Sequence, residues 1–252
     1  MWVEQWPLPQ EKLLALKQLV QEQLDAGHVE PSLSPHNTPV FVIQKKDKVK
    51  WRFLQDLRAV NSHMKKLGPL QPGLPHPSAI PRGAHIKIID IKDCFFSIPL
   101  HPEDRPYFAF SVPSTNHQLP ADRYQWKVLP QGMKNSPTMC QAYVGVTTKP
   151  LAKQCFITYY MEDILIAHRD PIWLEACCQT LISSLRALHL HIAPEKVQTI
   201  PPYSFLGYKI HEQIVPLLLS LQFLIPSPYM CYRNYVARLI GLGTAYQSPP
   251  GP

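Results

Sequence analysis

The six cysteines of this sequence, at positions 94, 140, 155, 177, 178 and 231, include no CxxC pair, and Cys177 and Cys178 are adjacent on an expected helix. Neither a zinc site nor a disulfide framework is indicated, which suits a reducing compartment. The N-terminus, Met-Trp-Val-Glu-Gln-Trp-Pro, lacks a basic segment leading into an apolar run, so no signal peptide is expected. The apolar stretch Ile214 to Ile225 is broken by Pro216, Ser220 and Gln222 and is too short to span a bilayer. A cytoplasmic or nuclear location with no membrane partner is the expectation. No internal repeat is visible. Charged residues make up only 17%, but 45% hydrophobic content excludes a disordered chain, and 252 residues suffice for one large domain or two small ones.

Proline is abundant instead: 28 residues, spread along the chain, punctuate many short elements rather than forming one linker. The 25 Lys and Arg outnumber the 18 Asp and Glu, giving net +7. That charge favours a polyanionic partner, nucleic acid first and an acidic membrane surface second, although a basic protein without such a partner fits as well.

Residues 10–26 have the spacing of an amphipathic helix, with Leu13, Leu16, Val20 and Leu24 on one face and Gly27 at the C-cap. From Pro39 an apolar strand runs into a basic turn, and a second strand starts near Trp51. Lysines 45, 46, 48 and 50 lie near the tip of this hairpin, either as solvated charge or as a phosphate grip. A Pro- and Gly-rich stretch, Gly68 to Pro81, leads to the strand Ile86-Lys-Ile-Ile-Asp-Ile. Ser136-Pro137 opens a helix expected to run to about 150. Strands at 155–160 and 164–168 are separated by Met161-Glu162-Asp163. Asp170-Pro171 then caps a helix to about Leu190, with Leu174, Cys178, Leu181 and Leu185 on one face. This order implies an α+β fold, an antiparallel sheet with helices on one face, compatible with a ferredoxin-like split βαβ core.

Asp90 interrupts an apolar strand, where a carboxylate is costly unless it is paired or binds a cation. Glu162-Asp163 forms a second acidic site at a tight turn. If the two strand systems share a sheet, three carboxylates can converge at one end of it. Hard oxygen ligands of this kind suit Mg²⁺, and two such ions can activate a hydroxyl and stabilise a leaving oxygen in phosphoryl transfer. His189 and His191 are read as surface residues rather than a metal pair, and Cys94 as a small packed residue rather than a nucleophile.

Five segments in order over about residues 1–216 resemble the motifs of retroviral-type reverse transcriptases. Trp51-Arg-Phe-Leu-Gln-Asp-Leu-Arg-Ala-Val-Asn resembles the fingers segment, and Ile89-Asp-Ile-Lys-Asp-Cys-Phe-Phe-Ser-Ile-Pro-Leu the first palm motif. Leu129-Pro-Gln-Gly-Met-Lys-Asn-Ser-Pro-Thr resembles LPQGxxxSP, Tyr160-Met-Glu-Asp stands where that family has YxDD, and Phe205-Leu-Gly-Tyr resembles the primer-grip turn. The wording is closest to betaretrovirus-like Pol proteins, including those of endogenous elements. The resemblance implies fingers at 1–65 and 98–135 and a palm at 66–97 and 136–216, the palm sheet being ferredoxin-like. Residues 217–252 match nothing in the thumb, connection or RNase H domains and are expected to be partly disordered.

Carried over, the resemblance makes Asp90, Glu162 and Asp163 ligands for two Mg²⁺ ions, with Mn²⁺ as a substitute. Lys196 becomes the proton donor to departing pyrophosphate. Lys45, Arg52, Asp93, Phe95 and Gln131 become nucleotide-binding residues, with Phe95 the gate against a ribose 2′-OH or else simply a core phenylalanine. Leu206, Gly207 and Tyr208 would position the primer end. The implied activity is RNA-directed DNA polymerisation, with an RNA or DNA template, a primer and deoxynucleoside triphosphates as partners. A dimer or a larger Pol polypeptide is compatible with this. The departure is Glu162, whose carboxylate lies one methylene further out than an aspartate's, and a misplacement of about 1 Å can cost about 10²-fold in rate. A catalytically inactive nucleic-acid-binding remnant and a metal-dependent nuclease are the alternative readings.

Overall fold

The computed structural model describes residues 1–45, 50–68, 73–114 and 119–211. The hairpin tip with Lys46 and Lys48, the apolar stretch from Ile214, Cys231 and the expected tail at 217–252 lie outside the described residues. In chain order the regular elements are α1 (Gln10–Asp25), β1 (Val29–Pro31), β2 (Val40–Gln44), β3 (Trp51–Gln55), α2 (Arg58–His63) and β4 (His85–Lys92). They continue with β5 (Ala109–Val112), β6 (Asp122–Trp126), α3 (Ser136–Thr148), β7 (Phe156–Tyr160), β8 (Asp163–His168) and α4 (Pro171–Ala187). The series closes with β9 (His191–Ile192), β10 (Tyr203–Phe205) and β11 (Tyr208–Ile210). No helix among the described residues is long and apolar enough to cross a membrane.

The chain divides into two compact units. The first comprises Met1–Leu67 and Pro99–Ser136. Here α1 buries Leu13, Leu16 and Val20 and packs on β1, β2 and β3. Its end is a Schellman cap: Gly27, at φ 73°, donates to Leu24, and His28 donates to Gln23. Strands β1, β6 and β5 form an antiparallel sheet, and β2 and β3 form the basic hairpin. Cross-strand pairs Val40–Gln55 and Val42–Phe53 define the inner face of that hairpin. Phe53 stacks on Trp126, whose indole N–H donates to the buried Gln55 side chain at 2.8 Å. Alternation therefore sends Lys45 and Arg52 to the opposite face, where both are exposed.

The second unit contains Gly68–Ile98 and the described residues from Pro137 on. Its sheet has the order β7-β8-β4-β9, with every pair antiparallel. Both faces of β4 are covered, which explains its nearly continuous apolar run. Ile86 and Ile88 pack with Leu165, Ala167, Tyr203, Phe205 and Ile210, so the β10–β11 hairpin covers that face. On the other face lies α4, which packs against β4, β8 and β9 and whose Glu175 forms an ion pair with Lys87. Asp170 caps α4 by accepting from the backbone of Ile172 and Trp173. The helix stops at Ala187, three residues short of the Leu190 expected from sequence. Leu188, His189 and Leu190 fold their amides back onto the carbonyls of Leu185 and Arg186, and His189 takes φ 58°. A left-handed cap made without glycine or asparagine leaves no sequence mark.

Candidate active site

Because side chains alternate along a strand, Asp90 lies on the same face of β4 as Ile86 and Ile88, at the end of the apolar row. Its cross-strand partner is Asp163, the first residue of β8. Like charges placed directly opposite each other destabilise a sheet, so this register asks for a cation. The sequence reading left Asp163 in the connecting turn, but the turn is shorter. Tyr160 pairs with Asp163, leaving only Met161 and Glu162 in the loop, and Met161 takes φ 54°. The Glu162 carbonyl accepts from Ile91, which fastens the turn to β4.

A cation of the protein itself meets the demand. Lys196, in a short turn after β9, places Nζ 2.8 Å from Oδ1 of Asp90, whose side chain is only 16% exposed. This hydrogen bond holds the Lys196 ammonium above its ordinary pKa, aided by attraction to Asp90 and Glu162. The Glu162 carboxyl is pushed up, first by burial, then by the charges of Asp90 and Asp163, against a smaller opposing effect of Lys196. Asp163 is raised for the same reasons, burial first and Asp90 second. Among the described residues, no three His, Cys, Asp or Glu side chains converge closely enough to hold a metal ion. By donor type, though not by their spacing here, these carboxylates suit a hard dication. They repel one another in partial burial, and an ammonium already occupies the Asp90 oxygen a cation would use.

A cavity of about 500 Å³ opens beside these acids, lined by residues that include Asp90, Asp163, Lys196, Ser204, Leu206 and Gly207. Leu206 and Gly207 form the two-residue turn between β10 and β11, both at positive φ (49° and 83°). Tyr208 opens β11 opposite Phe205. Two glutamines that sequence reasoning passed over organise the surroundings. Gln198 bonds the backbone N–H and C=O of Ser204, and its own backbone pairs with Ile88. Gln141, on α3, reaches the β7–β8 turn. The buried residues of α3 also include Ser136, Thr147 and Thr148, so nothing in the sequence singles out Gln141.

The remaining expected residues divide between the units. Asp93, at φ 49°, begins the short turn Cys94–Ser97 that follows β4, and Phe95 within it is half-buried. Cys94 is fully buried with its Sγ 2.7 Å from that of Cys140, and the five cysteines among the described residues are all free. His189 and His191 are exposed. In the first unit Gln131 is exposed on a loop latched by two asparagines. Asn61 bonds Gly132 and Lys134, while Asn135 bonds Lys65 and Leu67. Lys45, Arg52 and Gln131 thus belong to one unit, and the carboxylates, Lys196, Phe95 and the Leu206–Tyr208 turn to the other.

Comparison with known proteins adds the relatives. The sequence profile of the family described as reverse transcriptase (RNA-dependent DNA polymerase) matches residues 43–210. The Gag-Pro-Pol polyprotein of squirrel monkey retrovirus is 58% identical over 217 residues, which is 85% of this chain and 12% of that polyprotein. That of Mason-Pfizer monkey virus is 58% identical over 213 residues, 83% of this chain and 12% of the polyprotein. The Pol-related polyprotein of the mouse intracisternal A-particle MIA14 is 53% identical over 219 residues, covering 85% of this chain and 25% of the relative. The chain therefore spans a small part of the curated relatives it matches.

Proposed function

The chain belongs to the reverse transcriptase (RNA-dependent DNA polymerase) family, and from that membership we propose that it is the fingers and palm of an RNA-directed DNA polymerase. The first compact unit is the fingers and the second the palm. The observation that carries the reading is the pairing of Asp90 with Asp163 across β4 and β8, with an ammonium already drawn to it.

In this reading the 3′-hydroxyl of a primer gives up its proton to water and attacks the α-phosphorus of a deoxynucleoside triphosphate, and the bond to the leaving pyrophosphate breaks. Asp90, Asp163 and Glu162 would hold the divalent cations; when bound, these supply charge neutralisation and polarise the hydroxyl and phosphate oxygens. Lys196 is held protonated, the state required of a group that gives its proton to pyrophosphate. The turn Leu206–Tyr208, beside the same cavity, positions the primer end. Lys45 and Arg52, exposed on one face of the hairpin, contact the triphosphate together with Gln131, and Arg suits a bidentate phosphate contact. Asp93 lies beside the triphosphate, and Phe95 excludes the ribose 2′-OH.

Glu162, one methylene longer than an aspartate at that position, favours a second reading, a nucleic-acid-binding domain with little or no polymerase activity. Primer extension on poly(rA)/oligo(dT) with Mg²⁺ or Mn²⁺ separates the two. The expected result is weak extension by the wild type, a gain of about 10²-fold in Glu162→Asp, and loss in Asp90→Asn. Silence in all three supports the second reading, and extension by Asp90→Asn at the wild-type rate refutes the site.

A further inference from the structure

We infer that Gln141 is a positioning residue for the acidic turn, setting from α3 the place of the Glu162 and Asp163 carboxylates. The inference rests on the cation-binding role proposed above. The two-residue loop Met161-Glu162 demands a positive φ at its first position, where glycine, asparagine or aspartate is usual and methionine is disfavoured. The charges of Glu162, Asp163 and Asp90 repel one another, which favours splaying of the same loop. Something outside the hairpin must oppose both tendencies.

Gln141 is placed to do so. Its side chain is buried, with the residue only 5% exposed, and it spans the turn's first strand. The amide oxygen accepts from the Met161 N–H at 2.6 Å, and the amide nitrogen donates to the Tyr159 carbonyl at 3.2 Å. Those two backbone groups flank Tyr160, so one neutral side chain fixes the last strand residues and the left-handed residue together. Four residues along α3, and so on the same helical face, Gly145 gives Tyr159 its room; a Cβ there would lie 2.6 Å from the phenol oxygen. The residue before Gln141, Cys140, meets Cys94 next to Asp93. A single helix therefore touches both acidic segments, and at 141 it does so with a group that neither repels the carboxylates nor competes for a cation.

The test uses the full chain and Mn²⁺ alone as the probe, read by loss of the free aqua-ion signal in electron paramagnetic resonance, well below the unfolding transition. Hydrogen exchange at the Met161 amide is followed in parallel. Gln141→Met keeps the side-chain length but makes neither hydrogen bond. It should weaken Mn²⁺ binding about tenfold, the lower end of the usual effect of losing a group that orients metal ligands, and it should speed Met161 exchange. Because glycine takes a positive φ without strain, the same substitution in a Met161→Gly background should weaken binding by only about threefold or less. Mn²⁺ affinity of Gln141→Met within about twofold of wild type overturns the inference, as does an undiminished effect in the Met161→Gly background. Gln141→Asn, one methylene shorter, takes the place of Gln141→Met if the latter does not fold. If the wild type itself binds no Mn²⁺, the cation reading falls. Met161 exchange then decides the positioning role alone: unchanged exchange in the variant overturns it, and faster exchange upholds it.

Discussion

Replacing Asp163 by asparagine removes one of two like charges set directly opposite each other in the β4–β8 ladder while keeping the side chain's size. A like-charged cross-strand pair costs about 0.2–1 kcal/mol. The low exposure of Asp90 argues for the upper part of that range, and the ammonium of Lys196 for a discount. Without divalent cation, Asp163→Asn should therefore be more stable than wild type, by about 1–4 °C in unfolding midpoint for a chain of this size. With cation the order should reverse. Binding at about ten times the dissociation constant stabilises the wild type by about 1.4 kcal/mol, and the variant, lacking a charged ligand, gains little.

The same carboxyls fix the pH dependence. Burial and the neighbouring acids raise the pKa of Asp163 and Glu162 in the folded state. The native protein then binds more protons than the unfolded chain, so stability from these groups falls as pH rises from about 3.9, the ordinary aspartate value, through the raised values. The advantage of Asp163→Asn should accordingly be full at neutral pH and vanish below about pH 3.9, where the unfolded chain also protonates its aspartates. Thermal unfolding by circular dichroism, with and without Mg²⁺, at neutral and acid pH, checks every arm. An Asp163→Asn protein that is less stable than wild type without cation, or gains as much from Mg²⁺, would refute the reasoning.

Lys196→Met should tighten Mn²⁺ binding severalfold, since its ammonium no longer competes for Asp90, yet slow primer extension by about 10²–10⁴-fold through loss of the proton donor. Weaker Mn²⁺ binding in calorimetry would contradict the competition. Gly207→Ala should destabilise by about 1–2 kcal/mol for a positive φ alone, because nothing lies within 4 Å of the new Cβ; chemical denaturation measures it. Arg52→Ala should leave the unfolding midpoint unchanged within about 1 °C, as expected of an exposed residue, and raise the nucleotide KM about tenfold. Steady-state extension kinetics read the second effect, and an unchanged KM removes Arg52 from the nucleotide contacts.

Where local chemistry sets an element, the sequence was legible. Asp170-Pro171 announced the start of α4, Gly27 the end of α1, and the apolar run around Asp90 a strand. The ends governed by tertiary contacts were not. Met161 and His189 hold left-handed conformations that their side chains disfavour, so the β7–β8 loop came out one residue too long and α4 three residues too long. The Met161 amide is held by Gln141 from another segment, which a window of neighbouring residues does not reveal, and the cap at His189 closes on its own helix through backbone groups that no residue type marks.

The site shows the same division more sharply. Asp90 could be singled out on its own strand, because a carboxylate among isoleucines breaks a local rule, and Glu162 and Asp163 stood out by their place between two apolar strands. Their register is a non-local quantity, and moving the pairing by one residue would have sent Asp163 to the α4 face, away from Asp90. Lys196 is 106 residues from its partner, and Gln141 is 20 residues from the amide it holds. Local conflict in the sequence therefore locates the chemistry, while the groups that make the conflict tolerable come from segments whose own sequence is unremarked. That asymmetry is expected wherever function retains like charges in a sheet, since the compensating cation and the positioning amide need only reach the site in space.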